Sequence, residues 1–308
     1  MSGRRGLVAR RLLRAVLVLW GAVTIVFVLI RLSGDPVSLM APAEATPAQI
    51  EDLRRNLRLD GPLIVQYLVF LRGALLLDFG QSIRFNEPAM QVVLDRLGPT
   101  VELALLSMTL ALVVAIPLGI FGALRANRWS GELAMGLALL GQSTPVFFFG
   151  ILLILLFSAQ MRLLPTGGHG RPEQLIMPTF TLALWLMASI ARLTRSSMLD
   201  VMGNDYIRTA RSKGLRELLV IRRHALKNAA LPVVTVTGLL FGSLLGGAVV
   251  TETIFSWPGI GRLTITAIGV RDYPVVQAAV FLAALWFVIV NTLIDLFYVY
   301  LDPRIRYI

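Results

Sequence analysis

Apolar positions along this chain fall into long blocks rather than into short alternating runs. Ala15–Ile30, Val101–Leu124, Leu133–Gln160, Leu175–Ala191, Ala229–Val250 and Val275–Leu301 are almost free of charge. Each approaches or exceeds the ~20 residues a helix needs to cross the hydrocarbon core of a bilayer. The pattern predicts an all-α membrane protein with six transmembrane helices. A seventh block, Leu63–Leu77, is shorter and carries Gln66 and Arg72, which predicts an amphipathic or buried helix instead.

Charge tests this count independently. With six spans and both termini in the cytoplasm, the inner segments hold 18 Lys and Arg and the short outer loops hold four: Arg162, Arg171, Arg262 and Arg271. A seventh span would place the cationic segment Arg192–Lys227 outside, against the positive-inside rule. Arg4, Arg5, Arg10, Arg11 and Arg14 precede the first block, and "FVLIRLSGDP" after it has no small-x-small cleavage pattern; the block reads as a retained anchor.

Between the first two spans the chain is too long for a turn. Thr46-Pro47-Ala48-Gln49 has the order of a capping box with proline at the first helical position, and "IEDLRRNLRL" follows as a short surface helix. The expected organisation is therefore a cytoplasmic N-terminus and first span over 1–31, a small external helical subdomain over 32–99, and a core of spans two to six over 100–308, with a cytoplasmic loop at 193–230.

Composition narrows the chemistry. Hydrophobic residues make up 56% of the 308, and mean hydropathy is +0.75, so most elements face lipid. There is no cysteine, and His169 and His224 lie 55 residues apart; thiolate sites and an HExxH helix are excluded. The only lysines are Lys213, after Ser212, and Lys227, after Leu226, so no phosphate-binding glycine-lysine-serine/threonine loop exists. The net charge of +11 does not imply nucleic acid, because the aromatic residues sit in apolar runs rather than among the arginines.

Inside the spans, Pro117 and Pro145 predict kinks. Gln142, Ser143 and Thr144 are candidates either for a polar lining of a translocation path or for hydrogen bonds to a neighbouring helix. Gly238, Gly242 and Gly246 repeat every four residues, a smooth face for close packing within the bundle or on a partner subunit. Asp295, six residues from Leu301, suits a snorkelling or paired structural role.

"YIRTARSKGLRELLVIRRHALKNAALP", Tyr206 to Pro232, carries seven basic side chains and one acid, Glu217. Asn204 or Asp205 is placed to cap a helix from Tyr206 to Lys213, which Gly214 ends. Leu215, Leu218, Leu219, Ala225, Leu226 and Ala229 form the apolar stripe of a second helix leading into span five. Such a hairpin serves either anionic lipid headgroups or a soluble partner.

The same stretch resembles the cytoplasmic coupling loop of bacterial ABC importer permeases of the dipeptide, oligopeptide and nickel type. Thr209, Ala210 and Arg211 stand where the broader loop pattern has Glu-Ala-Ala before the glycine, here Gly214. "RRLLRAVLVLWGAVTIVFVLIRLSGDP", "ATPAQIEDLRRNLRLDGPLIVQYL", "TETIFSWPGIGRL", "RDYPVVQ" and "DLFYVYLDPRIRY" extend the resemblance over almost the whole chain, toward the first of the two paired permeases. It implies a type I importer permease fold in the bacterial cytoplasmic membrane. It also implies a second paralogous permease, two cytoplasmic ATPases that bind the ATP and magnesium, and an extracytoplasmic substrate-binding protein. In the coupling loop it implies that Tyr206 and Ala210 fit the ATPase groove. Arg208 and Arg211 would pair with the acidic rim, with Thr209, Lys213 and Leu215 alongside. Peptides are the cargo the resemblance favours, with nickel chelates, glutathione and haem as alternatives. An ion-driven transporter would require ionisable residues at mid-span, which are few.

Overall fold

The computed structural model describes residues 2–32, 46–56 and 60–301. In chain order the helices are α1 (Ser2–Leu32), α2 (Pro47–Asn56), α3 (Leu63–Leu75), α4 (Ala89–Leu94), α5 (Leu97–Leu124), α6 (Trp129–Ser143), α7 (Val146–Leu153), α8 (Pro172–Met202), α9 (Asp205–Ser212), α10 (Glu217–Leu219), α11 (Leu226–Gly247), α12 (Val249–Ile254), α13 (Ile260–Gly269) and α14 (Tyr273–Leu301). Wider π-turns continue α7 over Ile154–Gln160 and join α10 to α11 over Val220–Ala225. Strands are absent among the described residues, apart from one isolated bridge between Gln81 and Pro88.

Among the described residues five helical stretches are long and apolar enough to cross a membrane, and a sixth arises if α6 and the α7 segment count as one bent span. Counted so, six spans agree with the sequence pattern, and the third bends where Pro145 predicts it. Pro145 does not merely kink it; the two halves meet at 98°. Proline removes one backbone donor and disfavours helical geometry at Thr144, so both local hydrogen-bonding and steric terms oppose continuation. Pro117 behaves differently, since α5 runs without interruption through it.

The chain divides into two compact units. One comprises Met1–Thr100 and Pro258–Ile289, the other Val101–Trp257 and Val290–Arg306.

In the first unit, α3 lies on α1. Phe27 meets Tyr67 edge-on at 5.2 Å and stacks on Phe70 at 5.6 Å, while Thr24 Oγ1 and the Tyr67 hydroxyl are 2.7 Å apart. Arg31 donates to Gln66 Oε1, which gives the polar residue of this apolar segment a partner. The segment is a 13-residue helix, too short to span, as its length predicted. The capping box ahead of α2 is present: Thr46 N–H donates to Gln49 Oε1 at 2.9 Å, and Gln49 N–H donates to Thr46 Oγ1 at 3.4 Å.

Asp272, 1% exposed, ties the ends of this unit together. Its Oδ2 accepts from Ser82 Oγ and from Arg84 N–H at 3.3 Å. An acid in "RDYPVVQ" thereby holds a turn 190 residues away in sequence.

The second unit has its core between α5, α6, α8 and α11, where Leu103, Leu182, Leu186 and Ile190 are fully enclosed. Gly141 lets α6 approach α8 closely, since a Cβ there would lie 2.7 Å from Leu184 O. "TETIFSWPGIGRL" forms the end of α12 and the start of α13, with the Phe255 and Trp257 side chains fully buried. Gly168 N–H donates to Phe255 O at 2.9 Å. Beside it, a Cβ on Gly167 would come within 2.0 Å of that oxygen.

Candidate functional site

The cationic stretch folds as the expected helical hairpin, though its faces are distributed differently. Helix α9 buries Ile207 and Ala210, three residues apart, against Met198, Val220, Ala225 and Ala229. Ala210 is 5% exposed. Ala210, which the resemblance places in the ATPase groove, packs its methyl group inside its own chain, because residues three apart share a helix face. Tyr206, Arg208, Thr209 and Lys213 remain on the exposed side.

Arg211 faces Glu217 across the turn. Its Nε donates to Oε2 at 3.1 Å and its Nη2 to Oε1 at 2.7 Å, the forked geometry that suits guanidinium and carboxylate. The bond to Glu217 raises the guanidinium pKa above its already high ordinary value, so Arg211 keeps its charge. Arg211, which the resemblance pairs with a partner's acidic rim, meets Glu217 within this chain and stays 42% exposed. Arg208, by contrast, is 78% exposed and stands 3.7 Å from Asp205.

Gly214 adopts φ +72°, the left-handed conformation that only glycine enters at no steric cost. Neither expected cap forms through a side chain: Asn204 holds the N-cap position, but its amide donates back to Asp200 O at 3.3 Å. Beyond the turn, Leu218 and Leu219 are exposed and Val220 is fully buried, contrary to the predicted stripe. The π-turns over Val220–Ala225 explain the difference. Their wider repeat shifts the inward face relative to a regular helix. They also include His224.

A residue the sequence pattern did not single out links the hairpin to span five. Asn228 Nδ2 donates to the Tyr206 hydroxyl at 3.1 Å and to His224 O at 2.9 Å. Together with the buried cluster beneath α9, this makes the hairpin and the root of α11 one packed body. An amide one turn into a span, 22 residues from a tyrosine, offers no periodic signal.

The translocation-path candidates sit at the break between α6 and α7. Gln142 and Ser143 are exposed, and Ser143 Oγ donates to Leu139 O of its own helix at 3.2 Å. Thr144 and Pro145 form the break itself. On α11, Gly238 is shaped for packing within the chain, because a Cβ there would stand 2.4 Å from Ile294 of α14. Gly242 is buried; the Asp295 side chain and the surroundings of Gly246 lie outside the described residues.

Between α5, α8, α11 and α14 runs a cavity of about 530 Å³ with almost wholly apolar walls, extending along α11 from Leu226 to Phe241. Thr194 closes its hydroxyl onto Ile190 O at 2.7 Å, while Thr237 Oγ1 is buried without a partner. Groups of three or more His, Asp or Glu able to hold a metal are absent among the described residues.

Residues 115–307 match the family described as binding-protein-dependent transport system inner membrane component. Residues 5–104 match the N-terminal membrane component of the same transport systems. The glutathione transport system permease protein GsiC of Escherichia coli K12 is 41% identical over 301 residues, covering 97% of this chain and 98% of that protein. The dipeptide transport system permease protein DppB of Alkalihalophilus pseudofirmus is 40% identical over 327 residues, with the same coverage. Among solved structures, a chain of the inward-facing MetNI methionine ABC transporter superposes with a TM-score of 0.56 at 14% identity, covering 69% of this chain and 97% of that one. A chain of an amino acid ABC transporter with histidines gives 0.52 at 18% identity, covering 67% and 92%. At these identities the likeness concerns the fold.

Proposed function

The chain belongs to the family of binding-protein-dependent transport system inner membrane components, as an inner-membrane permease of the peptide-type ABC importers, and from this premise we propose that it forms half of a translocation pathway for short peptides. Glutathione, itself a peptide, falls within that cargo class, and relatives named for glutathione and for dipeptide transport support it. The partners in this proposal are a second, paralogous permease, an extracytoplasmic binding protein and two ATPase subunits that supply ATP and magnesium. This chain supplies no nucleotide site.

The coupling element is the hairpin Asp205–Leu215. Its docking face consists of Tyr206, Arg208, Thr209 and Lys213, with Ala210 and Arg211 holding the hairpin's internal shape and Gly214 its turn. The observation that carries the proposal is the joint packing of α9 and the root of α11, sealed by the Tyr206–Asn228 hydrogen bond. A force applied at α9 is therefore delivered to span five rather than lost in a flexible loop. An ATPase that binds the two permease conformations unequally shifts their equilibrium by that difference in affinity. The break at Thr144-Pro145 is a hinge in this scheme, and Gln142 and Ser143 are its polar contribution to the path.

Single cysteines settle the docking face, since the chain has none of its own. Thr209→Cys should cross-link to the ATPase in the assembled importer, and Ala210→Cys should not. Cross-linking only through position 210 would reject this assignment. Co-purification without any ATPase would reject the permease mechanism.

A further inference from the structure

The lining of the apolar cavity along α11 recurs at Leu226, Ala230, Val234 and Phe241, a stripe about 22 Å long at 1.5 Å per residue. That exceeds half of the ~30 Å hydrocarbon core. Its volume, about 530 Å³, falls within the ~300–1,000 Å³ typical of small-molecule sites. The cavity lies among membrane-spanning helices, where the surrounding medium is hydrocarbon, and its walls offer almost nothing to water.

The cytoplasmic end of the stripe is different in kind. One turn before Leu226, at three and four residues' distance, stand Arg223 and Arg222, and Lys227 precedes Ala230 by three; all three are exposed. No ion pair or side-chain hydrogen bond engages them among the described residues. The neighbouring acids Asp205 and Glu217 instead face Arg208 and Arg211. Three exposed cations without an ion pair thus lie within about one turn, along the chain, of the cytoplasmic end of the groove lining on α11.

We propose that this groove is a binding site for an anionic phospholipid, with one acyl chain lying along α11 and the phosphate held by Arg222, Arg223 and Lys227. Charge selects the class of lipid, because a zwitterionic headgroup brings its own cation to a cationic mouth. The site adjoins the hairpin, so its occupant stiffens the junction through which α9 acts on span five. This inference goes beyond the transport function proposed above and does not require a particular cargo.

The test titrates the detergent-purified importer, with all its subunits, with phosphatidylglycerol or with phosphatidylcholine of the same chains, reading bound lipid by native mass spectrometry. Phosphatidylglycerol should bind at least tenfold more tightly. Replacing Arg222, Arg223 and Lys227 together by Gln should weaken it on the order of 100-fold, from the per-charge attraction of basic residues to anionic headgroups. Arg222→Lys/Arg223→Lys, which keeps all three charges, should retain binding. Ala230→Phe, which fills the groove and keeps the cations, should also lower it. Equal affinity for the two lipids, or undiminished phosphatidylglycerol binding by the glutamine or Ala230→Phe variant, would overturn the proposal. So would efficient cross-linking of Val234→Cys to the second permease, which would place protein in the groove. ATPase co-purification is scored on the same preparations, so loss of the lipid site is distinguishable from failure of the permease assignment.

Discussion

Gly214→Val probes the turn of the coupling hairpin in a way the structure makes unusually clean. Gly214 has φ +72°, and a Cβ built on it would meet nothing within 4 Å. The Cβ itself meets no neighbour, so its penalty within this chain comes from the backbone conformation. A left-handed conformation costs an ordinary residue about 1–2 kcal/mol, with a β-branched side chain at the unfavourable end and asparagine well below it. A penalty of this size changes a two-state ratio by about 5- to 30-fold. The expected order of coupling, measured as peptide taken up per ATP hydrolysed in proteoliposomes containing the whole importer, is Gly, then Asn, then Ala, then Val. The valine variant should hydrolyse ATP while losing most uptake, at unchanged membrane insertion. Wild-type coupling in Gly214→Val would refute the reasoning. Equal damage from Asn and Val would also refute it, since backbone sign would then not be the controlling variable.

Other positions make independent claims. Tyr206→Phe removes the acceptor for Asn228 Nδ2, a bond worth about 0.5–1.5 kcal/mol. Amide exchange over 205–212 should quicken by about 2- to 10-fold, and combining it with Asn228→Ala should add little; additive effects would show that the two side chains do not act on each other. Ser82→Ala leaves buried Asp272 with one donor fewer and should cost about 1.5–3 kcal/mol, the range for hydrogen bonds to charged groups. An unchanged melting temperature in the same detergent would contradict that. Gly167→Ala drives a Cβ to 2.0 Å from Phe255 O, a backbone atom that cannot rotate away, and should abolish accumulation of folded protein; normal expression and melting would disprove the packing described for that loop.

Much of this protein is decided along the chain itself. Lipid can satisfy no backbone group, so an apolar block of sufficient length must close its own hydrogen bonds as a helix, and the blocks could be counted before any contact was known. Topology followed from where the arginines lie, and the left-handed turn from a glycine between two helical patterns. The Thr46 capping box was legible because both of its bonds close within four residues. What remained hidden depends on which side of each helix meets a neighbour. A stripe of leucines predicted one inward face for the segment after Gly214, but π-turns rotated the register and buried Val220 instead of Leu218 and Leu219. Ala210 turns inward only because α9 lies on α11, and Arg211, still exposed, meets Glu217 only across the turn. The Asp272–Ser82 bond, the Tyr206–Asn228 link and the groove beside α11 join residues that no periodicity pairs. Segments that are local in sequence reveal their conformation through propensity and caps, whereas partners remote in sequence are chosen only when tertiary packing brings their surfaces together.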